Sequence, residues 1–158
     1  MLDPEIRAFR KNLRALERQV ELALVAQTEC CGVTPAQCHL LLEVEDAGEA
    51  SVGELAESLE LDASTLSRTV DGLVKAGFLR RREDPDNRRR QLVALDRAGK
   101  EKADSINELC DRYYSGLLET FPATDTQKVI ETLPRFVEAM RKWRLAGVSG
   151  TCCSAGKE

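Results

Sequence analysis

At Gly77 the sequence changes its period, and few folds accommodate that change in this order. Residues 63–77, ASTLSRTVDGLVKAG, place Leu66, Val70, Leu73 and Val74 at intervals of three and four, an apolar stripe on one helix face. Gly77 suits the residue just past a helix end, where the backbone turns left-handed. Beyond it the helical period is lost: FLRRRED (78–84) and QLVALD (91–96) read as short strands. DPDNRRR (84–90) joins them as a charged loop rich in turn-forming residues. A helix running into a hairpin with a basic tip is the frame for everything else.

The flanking segments are helical. Ile6, Phe9, Leu13, Leu16, Val20 and Leu24 form one stripe on a long first helix that stops near Gly32. Thr34-Pro35-Ala36-Gln37 is a capping box with proline at the first helical position, and opens a second helix through about Ala47. Ser51-Val52-Gly53-Glu54 is another capping box, for a short helix that turns Leu55, Ala56 and Leu59 inward. Asp62 caps the helix described above. Downstream, Asp96 caps a helix with the stripe Gly99, Ala103, Ile106, Cys110, Tyr113 and Leu117. Thr124-Asp125-Thr126-Gln127 is expected to cap the last helix, which carries Val129, Ile130, Leu133, Phe136, Val137 and Met140 and should kink at Pro134. The fold expected is mainly α with a small β-hairpin.

The chain has 158 residues, enough for one domain or for a core with an added helical arm. Its 42% hydrophobic and 32% charged residues fit a folded, soluble protein. MLDPEIRAFRKN does not resemble an export signal, and no apolar run nears the roughly 20 residues that span a bilayer. The expectation is a cytoplasmic protein with no membrane partner and reduced thiols. The formal net charge is −4, yet residues 62–90 hold eight Lys/Arg against five Asp/Glu. Cationic charge gathered on one segment of an acidic chain is the footprint of a phosphate-binding surface.

Two short helices followed by a hairpin with a basic tip make a winged helix-turn-helix. Leu59, Leu61, Leu66 and Val70 hold the helix pair together, which leaves Ser64, Thr65, Ser67, Arg68 and Thr69 around the start of the second helix. Small hydroxyl residues permit close approach in a major groove, and Arg68 has the fork that pairs with guanine or phosphate. Lys75 joins this DNA-binding set from the end of the helix, and Arg88, Arg89 and Arg90 from the hairpin tip, where they suit phosphates or a narrow minor groove.

Residues 51–100 resemble the multiple-antibiotic-resistance regulator (MarR) family of bacterial transcription factors, through LAESLELDASTLSRTVDGLVKAGFLRRREDPDNRRRQLVALDRAG and above all its wing pattern Asp84-Pro85, Arg88-Arg89, Leu95 and Gly99. A looser likeness in helix order covers most of residues 5–144. The resemblance implies a homodimeric, non-enzymatic regulator on double-stranded DNA, with paired recognition helices in successive major grooves of a near-palindromic operator. Residues 1–32 and 97–147 would be the helical dimerisation region, 33–96 the DNA-binding domain and 148–158 a flexible cysteine-containing tail. Asn87 stands where the family usually has Asp, so Asp84 or Asp86 is expected to support the wing arginines instead. Asp96 replaces the family's common Thr and still serves as a cap.

Six cysteines remain to be explained. Cys30 and Cys31 end the first helix, Cys38 lies about one turn into the second, and Cys152 and Cys153 sit in the tail. The positive end of a helix favours a thiolate near it, which draws attention to Cys38. Adjacent cysteines fit the spacing of structural zinc poorly, but suit soft, low-coordinate thiophiles such as trivalent arsenic or antimony or a soft metal ion. The leading expectation is a repressor that needs no cofactor and whose operator affinity changes when such a species takes one or both sulfurs of a pair and a third from Cys38 or the tail, with Cys152 and Cys153 folding back to close a site begun by Cys30 and Cys31. The alternatives are thiol oxidation by peroxide, a small aromatic ligand in an apolar cleft, and a thiol enzyme or metal carrier. Against an enzyme, His39 is the sole histidine and there is no C-x-x-C, nucleophile elbow or phosphate loop. Cys110, on an apolar stripe, reads as a small core residue.

Overall fold

Capping chemistry sets the start of the second and third helices. In the computed structural model, which describes residues 3–87 and 90–148 (27–31 and 148 by backbone alone), the Thr34 hydroxyl accepts from the Gln37 amide at 3.3 Å and the Gln37 side chain accepts from the Thr34 amide at 2.9 Å. Ser51 and Glu54 repeat the pattern, the Ser51 amide donating to Glu54 Oε2 at 2.8 Å. These boxes open α2 (Pro35–Ala47) and α3 (Val52–Ser58), after α1 (Pro4–Cys31). There follow α4 (Ala63–Lys75), the strands β2 (Leu79–Glu83) and β3 (Gln91–Leu95), then α5 (Arg97–Glu119) and α6 (Ala123–Trp143). A short strand β1 (Glu49–Ser51) precedes α3, and a five-residue π-helical turn, Arg144–Val148, follows α6. The chain divides into two compact units after Asp111.

The end of α4 shows why the period changes where it does. Gly77 has φ of 76°, its amide donates to the Val74 carbonyl at 3.0 Å, and the Phe78 amide reaches the Leu73 carbonyl at 2.9 Å. This pair of bonds satisfies the last carbonyls of the helix and swings the chain into β2. Phe78 then meets α5 at close range: the Asp96 amide donates to its carbonyl at 2.9 Å, and a Cβ added to Gly99 would lie 1.9 Å from that oxygen. Only glycine permits this approach.

The three strands form an antiparallel sheet in the order β1-β3-β2, with Ala50 opposite Val93 and Arg81 opposite Val93 on its other side. The sequence predicts the hairpin but not β1, because three residues are too few to show an alternation. The core of the first unit is built from Leu40, Leu41 and Val44 of α2, Leu55 of α3, Leu66, Val70 and Leu73 of α4, Val93 of β3 and Ile106 of α5. Burying side chains of this size contributes roughly 1.5–3 kcal/mol each.

In the second unit one expectation fails. Helix α6 begins at Ala123, directly after Pro122, and the Asp125 and Thr126 amides donate to the Pro122 carbonyl at 2.8 and 3.0 Å. Thr124 is thus already inside the first turn and caps nothing, because proline's fixed φ starts the helix one residue before the polar cluster. The Thr126 hydroxyl instead donates to the Leu118 carbonyl at 3.2 Å. The helix runs on through Pro134 to Trp143. Among the described residues no helix is long and apolar enough to cross a membrane.

Candidate nucleic-acid interface

Helix α4 is presented by the turn that precedes it. Glu60 closes α3 in the left-handed conformation, φ 54°, with its amide on the Glu57 carbonyl at 3.1 Å and the Leu61 amide on the Ala56 carbonyl at 2.9 Å. Asp62 then caps α4: its Oδ1 accepts from the Ser64 amide at 2.9 Å, the Thr65 amide at 3.1 Å and the Ser64 hydroxyl. These bonds, the Ser64 hydroxyl foremost, hold the Asp62 carboxyl below its usual range. With Leu66, Val70 and Leu73 turned into the core, Ser64, Thr65 and Arg68 stand exposed on the first two turns, and Ser67 and Thr69 are half-buried beside them. Lys75 is exposed in the last turn, where a cation is favoured by the helix dipole. Neither Arg68 nor Lys75 enters an ion pair among the described residues.

The wing turn is organised by Asp84, a buried carboxylate. Its Oδ1 accepts from the Asp86 amide at 2.9 Å, its carbonyl accepts from the Asn87 amide at 3.2 Å, and its own amide donates to the Arg90 carbonyl at 2.9 Å. Asp84 therefore shapes the hairpin neck, and Asp86 contributes its backbone. Arg88 and Arg89 lie outside the described residues. Arg90, expected with them at the phosphates, extends back toward the helix pair: its guanidinium bonds Glu54, the cap partner of α3, and comes within 3.6 Å of Asp84 Oδ2. The Ser51 amide, with Arg90 second, holds the Glu54 carboxyl down at about 2.

Two further arginines counted in the basic segment are also engaged. Arg81 Nη2 reaches Asp71 Oδ1 of α4 at 2.8 Å. Arg82 grips Glu49 of β1 with both edges of its fork, one bond at 2.7 Å, and this holds the Glu49 carboxyl below its usual range. Sequence reasoning missed these anchors, along with Glu54, because the partners lie far apart along the chain and no local pattern couples them. The cationic surface is accordingly narrower than a charge count suggests: of the described members of the basic segment, Arg68, Lys75 and Arg80 are exposed and enter no ion pair among the described residues.

The predicted thiol site is not assembled in what the structure describes. Cys38 is 8% exposed and belongs to the core of the first unit, and Cys110 packs half-buried against the same core. The side chains of Cys30 and Cys31, and all of Cys152 and Cys153, lie outside the described residues. Among the described residues there is no group of three or more His, Cys, Asp or Glu able to hold a metal ion. A largely apolar groove of about 640 Å³ is lined by Leu13, Leu16, Glu17, Val20, Glu21, Leu24 and Val25 of α1 together with Pro35.

A capped helix with small hydroxyls and an unpaired arginine, beside a three-stranded wing, defines a winged helix-turn-helix regulator. The MarR family profile matches residues 33–90. The chain is 34% identical over 102 residues to the uncharacterized HTH-type transcriptional regulator YxaD of Bacillus subtilis, 63% of this chain and 70% of that one. It is 26% identical over 106 residues to YdgJ, an uncharacterized HTH-type regulator of the same species, a match that takes in 67% of this chain and 65% of the relative, just under two thirds. Among solved structures it is similar to a mutant of MarR from E. coli complexed with operator DNA, with a TM-score of 0.70 and 24% identity over 87% of this chain and 98% of that one. The chain belongs to the MarR family, whose members are transcription regulators and not enzymes.

Proposed function

We propose that this chain is a homodimeric transcriptional repressor that binds a near-palindromic operator in double-stranded DNA. The observation that carries the reading is the start of α4, where Asp62 fixes the first turn and leaves Ser64, Thr65 and the unpaired Arg68 exposed. Arg68 supplies direct readout of a guanine edge, the hydroxyls and Lys75 hold the adjacent phosphates, and Arg88 and Arg89 address the backbone beyond. The E. coli protein of the same fold that was solved with operator DNA supports the assignment. Dimerisation is supported by the apolar stripes of α1 and α6, whose Leu16, Leu133 and Met140 are about half exposed in the single chain. An exposed apolar stripe on a helix of this kind marks an interface.

The regulatory signal in this reading is a soft metalloid, trivalent arsenic or antimony, or a soft metal ion taken by thiolates. Cys30 and Cys31, adjacent at the end of α1, are the first pair, and Cys152 and Cys153 the second. The burial of Cys38 in the core favours a packing role for that residue over a place in the site. The test is a titration of the protein bound to a duplex from upstream of its own gene with arsenite, antimonite, zinc and a peroxide. Release by the metalloids, lost when Cys30 and Cys31 are replaced by Ser, is the expected outcome. Release by peroxide alone assigns the thiols to oxidation, and indifference to all four removes the sensor reading.

A further inference from the structure

Arg90 lies where the wing meets the first helix of the reading pair, and its surroundings do not suit a phosphate ligand. Its Nη2 meets Glu54 and its Nη1 approaches Asp84, with the Ser51 hydroxyl 3.5 Å from Nη2. We infer that Arg90 is a positioning residue: held between Glu54 and Asp84, it latches the wing to the start of α3 and so sets how the hairpin addresses a duplex. This inference rests on the DNA-binding reading above and adds to it the part that fixes the wing.

Both carboxylates are held before Arg90 arrives. Glu54 Oε2 already accepts from the Ser51 amide at 2.8 Å and the Ser51 hydroxyl at 2.9 Å, so its position is set by the cap of α3. Asp84, with its side chain 10% exposed, is fixed through Oδ1 by the Asp86 amide. Arg90 itself is pinned at the hairpin neck, its amide donating to the Asn87 carbonyl at 2.8 Å and its carbonyl accepting from Asp84. An isolated surface ion pair is weak, chiefly because two long side chains must be ordered to form it. Here the cap and the turn have already ordered the anions, and one planar fork spans them both. An ammonium is a single point of charge and cannot do the same. Two carboxylates around one guanidinium also leave a local negative excess, which opposes a phosphate. The latch ties β1, α3 and both ends of the wing loop at one point.

Glu54→Gln tests the inference by sign. Glutamine at the third helical position keeps the capping box, so α3 stays capped while the anion is lost. If Glu54 merely opposed a phosphate contact made by Arg90, its removal would tighten DNA binding. If the latch sets the wing, removal weakens it. Fluorescence anisotropy of a labelled duplex from upstream of the gene, measured across a salt series with the full chain, should show Glu54→Gln weakened about fivefold or more, a size usual for coupled contacts. The slope of affinity against salt should stay unchanged. Arg90→Lys should lose as much, and the double variant no more than either single change. The backbone amides of Asp84, Asp86, Asn87 and Arg90 should exchange hydrogen faster in both variants without DNA. Tighter binding by Glu54→Gln, full affinity in Arg90→Lys, or a salt slope in Arg90→Ala reduced by about one phosphate contact would overturn the latch. Should the unaltered protein bind no duplex, the DNA reading fails on its own, and the exchange measurement still decides: unchanged protection of the Asp84, Asp86, Asn87 and Arg90 amides rejects the latch.

Discussion

Helices α4 and α6 begin as the same kind of sequence, an apolar stripe at intervals of three and four, and reach opposite ends. In α4, Leu66, Val70 and Leu73 are almost wholly removed from solvent. In α6 no residue is buried, and Val129, Ile130, Leu133, Val137 and Met140 are each 40–51% exposed. The difference lies in what the chain offers each helix. Around α4 the caps of α2 and α3 and the three strands bring apolar partners from within the first unit. Helix α6 has no comparable company among the described residues of its own unit. A periodic stripe therefore specifies a helix and the face it must cover, and says nothing of where the cover comes from. In this protein the reading lobe is completed by its own chain, and we take the helical arm to be completed by a second copy.

That contrast can be broken from either side. Placing charge on the uncovered stripe, as in Leu133→Glu with Val137→Glu, should weaken dimerisation at least about a hundredfold, since truncations at the centre of an interface remove most of its energy. Sedimentation velocity should find monomers in which the far-ultraviolet signal of the first unit persists; a dimer of unchanged affinity would place the interface elsewhere. On the covered side, Gly99→Ala forces a Cβ against the Phe78 carbonyl and should cost about 3 kcal/mol in chemical denaturation. Thr34→Ala, which removes half of the α2 capping box, should cost about 1 kcal/mol. The smallest change has the opposite sign. Glu60 holds a left-handed position that glycine adopts without strain, so Glu60→Gly should raise stability by about 0.5 kcal/mol after the added freedom of the unfolded chain is counted.

The sequence carried the local features well and the distant ones poorly. Thr34, Ser51, Asp62 and Gly77 act within a few residues of themselves, and their capping and stopping roles follow from neighbours that can be read in order. The hairpin from Leu79 to Leu95 declared itself by the same route. Strand β1 did not, since Glu49–Ser51 is a strand only because β3 lies beside it. Thr124 misled because a capping pattern was present while Pro122, one step earlier, had already set the backbone. At the interface, Arg68 could be placed from its helix position. The pairings of Arg81 with Asp71, Arg82 with Glu49 and Arg90 with Glu54 depend on tertiary approach, and charge counting treats all of these arginines alike.

Specific recognition of an operator requires that the start of α4 read sequence in a duplex. The direct test compares the affinity of the full chain for the duplex upstream of its gene with that for a scrambled duplex of equal length, at fixed salt, for the unaltered protein and for Arg68→Ala. We predict a clear preference for the upstream duplex that falls about tenfold in Arg68→Ala, while affinity for the scrambled duplex changes far less. Equal affinity for both duplexes, or a preference untouched by the loss of Arg68, would contradict it.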